Sequence, residues 1–282
     1  MITPIILSGG TGTRLWPMSR KAKPKQFIEF IDNETMFTQT IKRFKDKKVF
    51  SKPIILGNVN YEKLIDKELK KNRIKDSGVV LEPKAKNTAP AICAVIEYLY
   101  EQGRDDEIVV FIASDAYIND VHNFQSYLEE GEIEAKKGKV VCFGIQPLYP
   151  EIGYGYIKVD KKIKNNSYSV DHFVEKPPLE KAIEFLKDGN YLWNAGIFMT
   201  KVSTMRNLFK KFQKDLYDNI QDTVSNSQLK DNNKLYLNKE LFEKSEEISI
   251  DYAIIEKLTA KELIVVSMNI VWSDLGSFKS LP

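Results

Sequence analysis

At 282 residues the chain has room for one large domain or two small ones. Its residues are 43% hydrophobic and 29% charged, which supplies a sizeable core under a soluble surface, and a net charge of +3 is too small for a nucleic-acid-binding face. His122 and His172 do not stand at metal-ligand spacing, which argues against zinc, and no apolar run is long enough to cross a membrane.

In chain order, Ile5-Ile6-Leu7 predicts a buried strand. It leads into Ser8-Gly9-Gly10-Thr11-Gly12-Thr13-Arg14-Leu15-Trp16-Pro17, and then into Pro24-Lys25-Gln26-Phe27. Met1 enters that strand directly, so no signal peptide is expected. Thr35 to Lys45 has helical spacing, Pro53 to Leu56 reads as a short strand, and Asn60 to Ile74 as a charged surface helix. Val79-Val80-Leu81 is a strand ending at Glu82-Pro83. Asn87 or Thr88 caps a helix that runs to about Glu101. Ile108 to Ile112 is a fully apolar strand whose end carries Ala113-Ser114-Asp115. Val121 to Lys137 reads as a helix and Val140 to Gly144 as a strand. Cys93 and Cys142 sit in apolar contexts and read as buried and reduced, which fits a cytoplasmic protein.

Helices alternating with apolar strands imply an α/β fold with a mostly parallel, Rossmann-like sheet covered on both faces. Ligands of such sheets sit beyond the carboxyl ends of the strands, where the glycine loop and Asp115 both fall. From Gly153 the texture changes. Gly153 to Val159 and Val170 to Pro177 read as two strands of an inserted β region carrying a substrate wall, joined by a turn at Lys164 to Ser167. Leu179 to Leu186 is helical and Leu192 to Met199 a strand. Ser203 to Ile220 and Phe242 to Leu258 read as helices around a polar loop at Ser225 to Asn233. Leu263 to Val266 is the last strand, before Val271-Trp272-Ser273-Asp274-Leu275-Gly276-Ser277.

The first thirty residues carry the chemistry. Glycines directly after a strand let backbone N–H groups close around an anion. Arg14 adds a planar guanidinium suited to phosphate, and Lys25 a mobile point charge. A Walker A loop is excluded because no lysine follows Gly12, and a dinucleotide fingerprint because Leu15 stands where its third glycine would be.

Gly-Gly-Thr-Gly-Thr-Arg-Leu-Trp-Pro-Met-Ser-Arg followed by Pro-Lys-Gln-Phe resembles the signature of the sugar-nucleotide pyrophosphorylases, most closely the mannose-1-phosphate guanylyltransferase branch. Glu82-Pro83 with Asn87-Thr88-Ala89-Pro90-Ala91, Ser114-Asp115, Gly153-Tyr154-Gly155-Tyr156-Ile157, Phe173-Val174-Glu175-Lys176-Pro177, Trp193-Asn194-Ala195-Gly196 and Trp272-Ser273-Asp274-Leu275-Gly276-Ser277 follow in that family's order.

The resemblance implies nucleotidyl transfer. A sugar-1-phosphate oxygen attacks the α-phosphorus of a nucleoside triphosphate and pyrophosphate leaves. The substrates would be GTP and mannose-1-phosphate, the products GDP-mannose and pyrophosphate, and the cofactor Mg²⁺ held by Asp115 and Asp274. Arg14, Lys25, Asp115 and Asp274 would carry the catalysis. Leu7, Gly9, Gly10, Thr11, Gly12, Thr13, Glu82, Asn87, Thr88 and Ser114 would line the nucleotide site with Arg14 and Lys25. Glu82 would accept from guanine's N1–H and amine. Gly155, Glu175, Lys176 and Asn194 would bind the sugar phosphate. Plainer readings stand beside these: a turn-forming Asp274, a capping Asp115, a surface Glu175–Lys176 pair, and simple helix capping by Asn87 and Thr88. Relatives often carry histidine where this chain has Ala116. The division expected is one nucleotidyltransferase domain, with a nucleotide part at about 1–150, a sugar part at about 151–282 and no isomerase domain. A homodimer is the family-level expectation. The competing readings are another base or hexose, or a non-catalytic nucleotide-sugar-binding homologue.

Overall fold

The computed structural model describes residues 1–10, 19–20, 23–31, 33–74, 78–230 and 233–275. Thr11, Gly12, Thr13 and Arg14 of the glycine loop lie outside the described residues, as do Gly276 and Ser277.

The first half alternates strands and helices: β1 (Ile2–Ser8), β2 (Glu29–Ile31), β3 (Glu34–Thr35), α1 (Met36–Lys42), β4 (Ile54–Asn58), α2 (Glu62–Lys71), β5 (Val79–Glu82), α3 (Thr88–Glu101), β6 (Ile108–Ala113), β7 (Tyr117–Ile118), α4 (Val121–Lys136) and β8 (Val140–Ile145). The second half holds β9 (Tyr156–Lys164), β10 (Ser167–Val174), α5 (Leu179–Asp188), β11 (Tyr191–Lys201), α6 (Val202–Phe212), α7 (Lys214–Ser225), β12 (Gln228–Lys230), β13 (Lys234–Tyr236), α8 (Lys239–Phe242), α9 (Ile250–Ala253), β14 (Leu263–Met268) and β15 (Trp272–Ser273).

Eleven of these strands form one sheet in the order β12-β13-β5-β4-β1-β6-β11-β8-β14-β10-β9. The expected α/β sheet flanked by helices is present. Its parallel run spans β13, β5, β4, β1 and β6. The long strand β11 then inserts antiparallel between β6 and β8, so the second half is mixed. The predicted inserted β region is the hairpin β9–β10, which joins this same sheet through β14 and β11. The central strands are apolar on both faces because both are covered. Ile5, Val109 and Phe111 pack towards α3, α6 and α7. Ile6, Val110 and Ile112 pack towards α1, α2 and α4. Each such side chain, fully buried, contributes about 1.5–3 kcal/mol.

Three sequence expectations need correction. The helix expected from Ser203 to Ile220 is two helices, because Gln213 takes φ −142° and ψ 51° and breaks the hydrogen-bond ladder. The helix expected from Phe242 to Leu258 is only α8, α9 and a short 3₁₀ turn. Ser249 starts a new helix there, its side chain accepting from the Tyr252 N–H. The loop expected at Ser225 to Asn233 contains β12, and β13 follows it to extend the sheet beside β5.

Candidate active site

One pocket lies beyond the carboxyl ends of β1, β5 and β6. It is lined by Leu7, Gly9, Gly10, Gln26, Glu82, Asn87, Thr88, Ser114 and Asp115, among others. Glu82 packs closely on Gly9: a Cβ there would stand 2.5 Å from Glu82 Oε1, so the carboxyl would have to shift. Gln26 holds the loop's start, its Nε2 donating to the carbonyl of Gly10 at 3.0 Å. Glu82 is buried, and among the described residues its Oε2 has no hydrogen-bond partner. Burial pushes its carboxyl up to about 8, against a smaller opposing hydrogen bond from Asn58. Asn87 sits at φ 62° and ψ −162°, a sparsely populated conformation for a residue with a side chain. Its Oδ1 accepts from the Thr88 N–H at 2.9 Å, so it does cap α3 as its residue type predicts.

A second pocket adjoins the first and shares Ala113 and Asp115 with it. It is lined by Gly153, Tyr154, Gly155, Glu175, Asn194, Gly196, Asp251, Trp272 and Asp274, among others. The pocket opens where β11 shifts register between Asn194 and Phe198, an irregularity that turns side chains out of the ladder. Gly155 is closely packed as well, since a Cβ would stand 2.6 Å from Glu175 Oε2 and 2.7 Å from the Phe173 ring. Lys176 Nζ donates to Glu175 Oε1 at 2.5 Å. The Asn194 amide is used at both ends: Oδ1 accepts from the Gly196 N–H at 3.0 Å, and Nδ2 donates to Asp251 Oδ1 at 3.1 Å.

The seam between the pockets is built by two distant segments. β15 pairs antiparallel with β7, two residues past Asp115, and so carries Asp274 to the end of β6. Lys25, buried in a short 3₁₀ turn, meets both acids' segments. Its ammonium lies 3.0 Å from Asp115 Oδ2 and donates to the Asp274 carbonyl at 2.5 Å and the Leu275 carbonyl at 3.3 Å. The Tyr154 hydroxyl donates to Asp274 Oδ1 at 2.8 Å, and its pKa is raised by burial first and by the Asp274 carboxylate second. Beneath the turn, the buried Arg43 donates to the Ala116 carbonyl at 2.8 Å and to Thr40 Oγ1 at 3.1 Å; burial lowers its pKa to about 10.

Of the residues picked from sequence, Leu7, Gly9, Gly10, Glu82, Asn87, Thr88 and Ser114 stand around the first pocket. Gly155, Glu175 and Asn194 stand around the second, and Asp115 and Asp274 meet through Lys25. Lys176 reaches the site through Glu175, its own side chain being 56% exposed. Sequence reading missed Gln26, Arg43, Tyr154 and Asp251 as site residues. Tyr154 could have been found inside the Gly-Tyr-Gly-Tyr run. Arg43 and Asp251 lie on helix-like stretches that carry no local signal.

Asp115 and Asp274 supply oxygen donors only, the set that suits a hard divalent cation keeping phosphate and water oxygens as its other ligands. Among the described residues no group of three or more acids, histidines or cysteines is placed to hold a metal ion. No helix among the described residues is long and apolar enough to cross a membrane.

A mannose-1-phosphate guanylyltransferase of Sinorhizobium fredii is 36% identical over 280 residues, covering 99% of this chain and 54% of that protein. The chain spans just over half the length of the curated relatives it matches. A crystal structure from Thermus thermophilus, named mannose-1-phosphate geranyltransferase, superposes with a TM-score of 0.84 at 26% identity, covering 98% of this chain and 76% of that one. Another, from Helicobacter pylori and named mannose-6-phosphate isomerase, gives a TM-score of 0.82 at 26% identity, covering 96% and 99%. A family model described as nucleotidyl transferase matches residues 3–282, and a match of that extent on this fold assigns the chain: it belongs to the nucleotidyl transferase family.

Proposed function

We propose that the chain transfers a guanylyl group from GTP to mannose-1-phosphate, releasing pyrophosphate and forming GDP-mannose. The observation that supports this reading best is the pair of adjoining pockets meeting at Asp115, one beside the start of the glycine loop and the other lined by polar side chains such as Glu175, Asn194 and Asp251. A phosphate bound at the seam would be within reach of both. The sugar phosphate's oxygen forms a bond to the α-phosphorus, and the bond from that phosphorus to the β-bridging oxygen breaks. The bridging oxygen leaves with pyrophosphate, so no covalent enzyme intermediate is needed.

This chain's own residues align and neutralise. The amides of Gly9 and Gly10, with Arg14, hold the triphosphate. Lys25 keeps Asp115 and the Asp274 segment together while lending positive charge to the phosphates. Glu82 receives the base; ionised when the base binds, its two oxygens match the two donors on guanine's Watson–Crick edge. Glu175 and the Gly155 backbone receive the hexose, and Lys176 its phosphate. Asp115 and Asp274 would hold Mg²⁺, which when bound neutralises charge on the phosphates. Residues 1–150 would serve the nucleotide and 151–282 the sugar, in the cytoplasm, where nucleotide and sugar phosphate are made.

The test is pyrophosphate release with GTP, ATP, UTP, CTP and dTTP, each against mannose-1-phosphate and glucose-1-phosphate. GTP with mannose-1-phosphate should turn over fastest. A different best pair would replace the base or sugar named here. No release with any pair would leave a non-catalytic binding protein.

A further inference from the structure

The second pocket holds an acid that the sequence pattern does not announce. Asp251 lies on α9 among the residues that line the pocket with Asn194 and Glu175, and its Oδ1 accepts from Asn194 Nδ2 at 3.1 Å. Its position is fixed from the nucleotide side. The Ile250 N–H donates to Thr88 Oγ1 at 2.8 Å, and the Ala89 N–H to the Ile248 carbonyl at 3.1 Å. The start of α3 and the segment carrying Asp251 are therefore zipped together.

The pocket's hydrogen bonds are unevenly spent. The Asn194 amide holds Gly196 with its oxygen and Asp251 with its nitrogen. Glu175 Oε1 holds the Lys176 ammonium. Among the described residues, the Asp251 carboxyl receives one side-chain hydrogen bond, from Asn194 Nδ2. Two carboxyls facing one pocket repel each other. Asp251 is pushed up to about 7, by burial first and Glu175 second, while Lys176 and Asn194 pull the other way. A cluster of acceptors lining one pocket is relieved by a neutral ligand that brings several O–H donors, because hydrogen bonds to charged acceptors are stronger than those between neutral groups.

We propose that Asp251 binds a hydroxyl of the sugar ring directly, alongside Glu175, and that Asn194 is the positioning residue that aims it. This rests on the nucleotidyl-transfer reading and narrows it. The pocket selects a hexose phosphate with free hydroxyls towards α9, and the residue that reads them is an acid from the last quarter of the chain.

Calorimetric binding of GDP and of GDP-mannose to the purified chain tests it, in wild type, Asp251→Asn and Asn194→Ala. Affinity for GDP serves as the folding control, since that ligand carries no sugar hydroxyls of the hexose. Wild type should bind GDP-mannose more tightly than GDP. Asp251→Asn should bind GDP as wild type does and lose about tenfold for GDP-mannose. In turnover, Asn194→Ala should raise the KM for mannose-1-phosphate and leave the KM for GTP unchanged. If Asp251→Asn keeps the wild-type affinity for GDP-mannose, Asp251 is not a sugar ligand and only this proposal falls. If wild type binds GDP-mannose no tighter than GDP, the pocket reads no sugar hydroxyl and this proposal falls alone; if GTP with mannose-1-phosphate releases no pyrophosphate, the transfer reading falls and takes this proposal with it.

Discussion

The Lys25 ammonium lies 3.0 Å from Asp115 Oδ2 while donating at 2.5 Å to the carbonyl of Asp274, a residue 249 positions away along the chain. One buried cation thus ties the glycine-loop segment, the end of β6 and the β15 segment into a single centre. Without it, the Asp115 and Asp274 segments would face each other with no cation between them.

Lys25→Ala should therefore lower turnover by at least about a hundredfold, the scale seen when one charge-stabilising donor is lost. Lys25→Arg keeps the charge but not the compact shape, and should recover only part of the rate. Steady-state pyrophosphate release measures both, with circular dichroism to show the fold is kept. A near-normal rate in Lys25→Ala would remove Lys25 from the mechanism.

Tyr154 orients one of the two acids read as metal ligands. Tyr154→Phe deletes the 2.8 Å bond to Asp274 Oδ1 and leaves the ring against Trp193 and Trp272. Binding of Mn²⁺ in the presence of GTP, followed by electron paramagnetic resonance, should weaken several-fold in Tyr154→Phe. Asp274→Ala should abolish it, and excess EDTA should stop wild-type turnover. Unchanged Mn²⁺ affinity in both variants would place the metal elsewhere.

Two pocket acids set a pH dependence of stability. Glu82 is raised to about 8 and Asp251 to about 7, each by burial first. In the folded chain both keep protons that the unfolded chain has lost above about pH 4–5. Folding therefore takes up protons in this window, and the stabilisation is lost as pH rises through about 7 and 8. The melting temperature of the ligand-free protein should fall from about pH 5.5 to about pH 8.5, a range that brackets both groups. Glu82→Gln with Asp251→Asn should flatten that slope. Acids held low by cations, such as Glu262 near 2 beside Lys211, act below this range. A rise in melting temperature across the same window would contradict the assignment.

The nucleotide-side wall depends on a buried ion pair. Glu97 on α3, 2% exposed, accepts from Arg206 Nε at 2.8 Å and Nη2 at 3.1 Å, and from the Tyr217 hydroxyl at 3.0 Å. The guanidinium also lies 3.5 Å from the Tyr100 ring centre. Arg206→Met would strand a buried carboxylate and should cost about 3–5 kcal/mol in chemical denaturation. Glu97→Leu with Arg206→Met should cost clearly less, because no charge is left unpaired. Equal losses would mean that the pair's packing, not its charge, is what matters.

Much of the site was legible because its signals are local. The apolar run of β1, the glycines after it and Asp115 at the end of β6 each follow from a few neighbouring residues, and a parallel run of strands brings their ends together. Glu82 and Asn87 were legible for the same reason. What stayed hidden depends on distant packing. Arg43 matters because α1 lies under the Ala116 carbonyl. Asp251 reaches the second pocket on a segment that Thr88 holds, and the Asn194 side chain bonds to Gly196 and Asp251. The unbroken helix read over Phe242 to Leu258 failed because its apolar spacing survives while Ser249 caps a fresh helix inside it. The antiparallel insertion of β11 could not be read from an apolar strand pattern, which carries no direction.

The most direct test of the central claim, that two substrates meet at the Lys25–Asp115–Asp274 seam, follows the oxygen atoms. Mannose-1-phosphate labelled with heavy oxygen in its phosphate is incubated with unlabelled GTP, and the products are weighed by mass spectrometry. Every label should appear in GDP-mannose, including the bridge between its phosphorus atoms, and pyrophosphate should be unlabelled. Label in pyrophosphate, or wild-type protein that forms no nucleotide sugar, would contradict it.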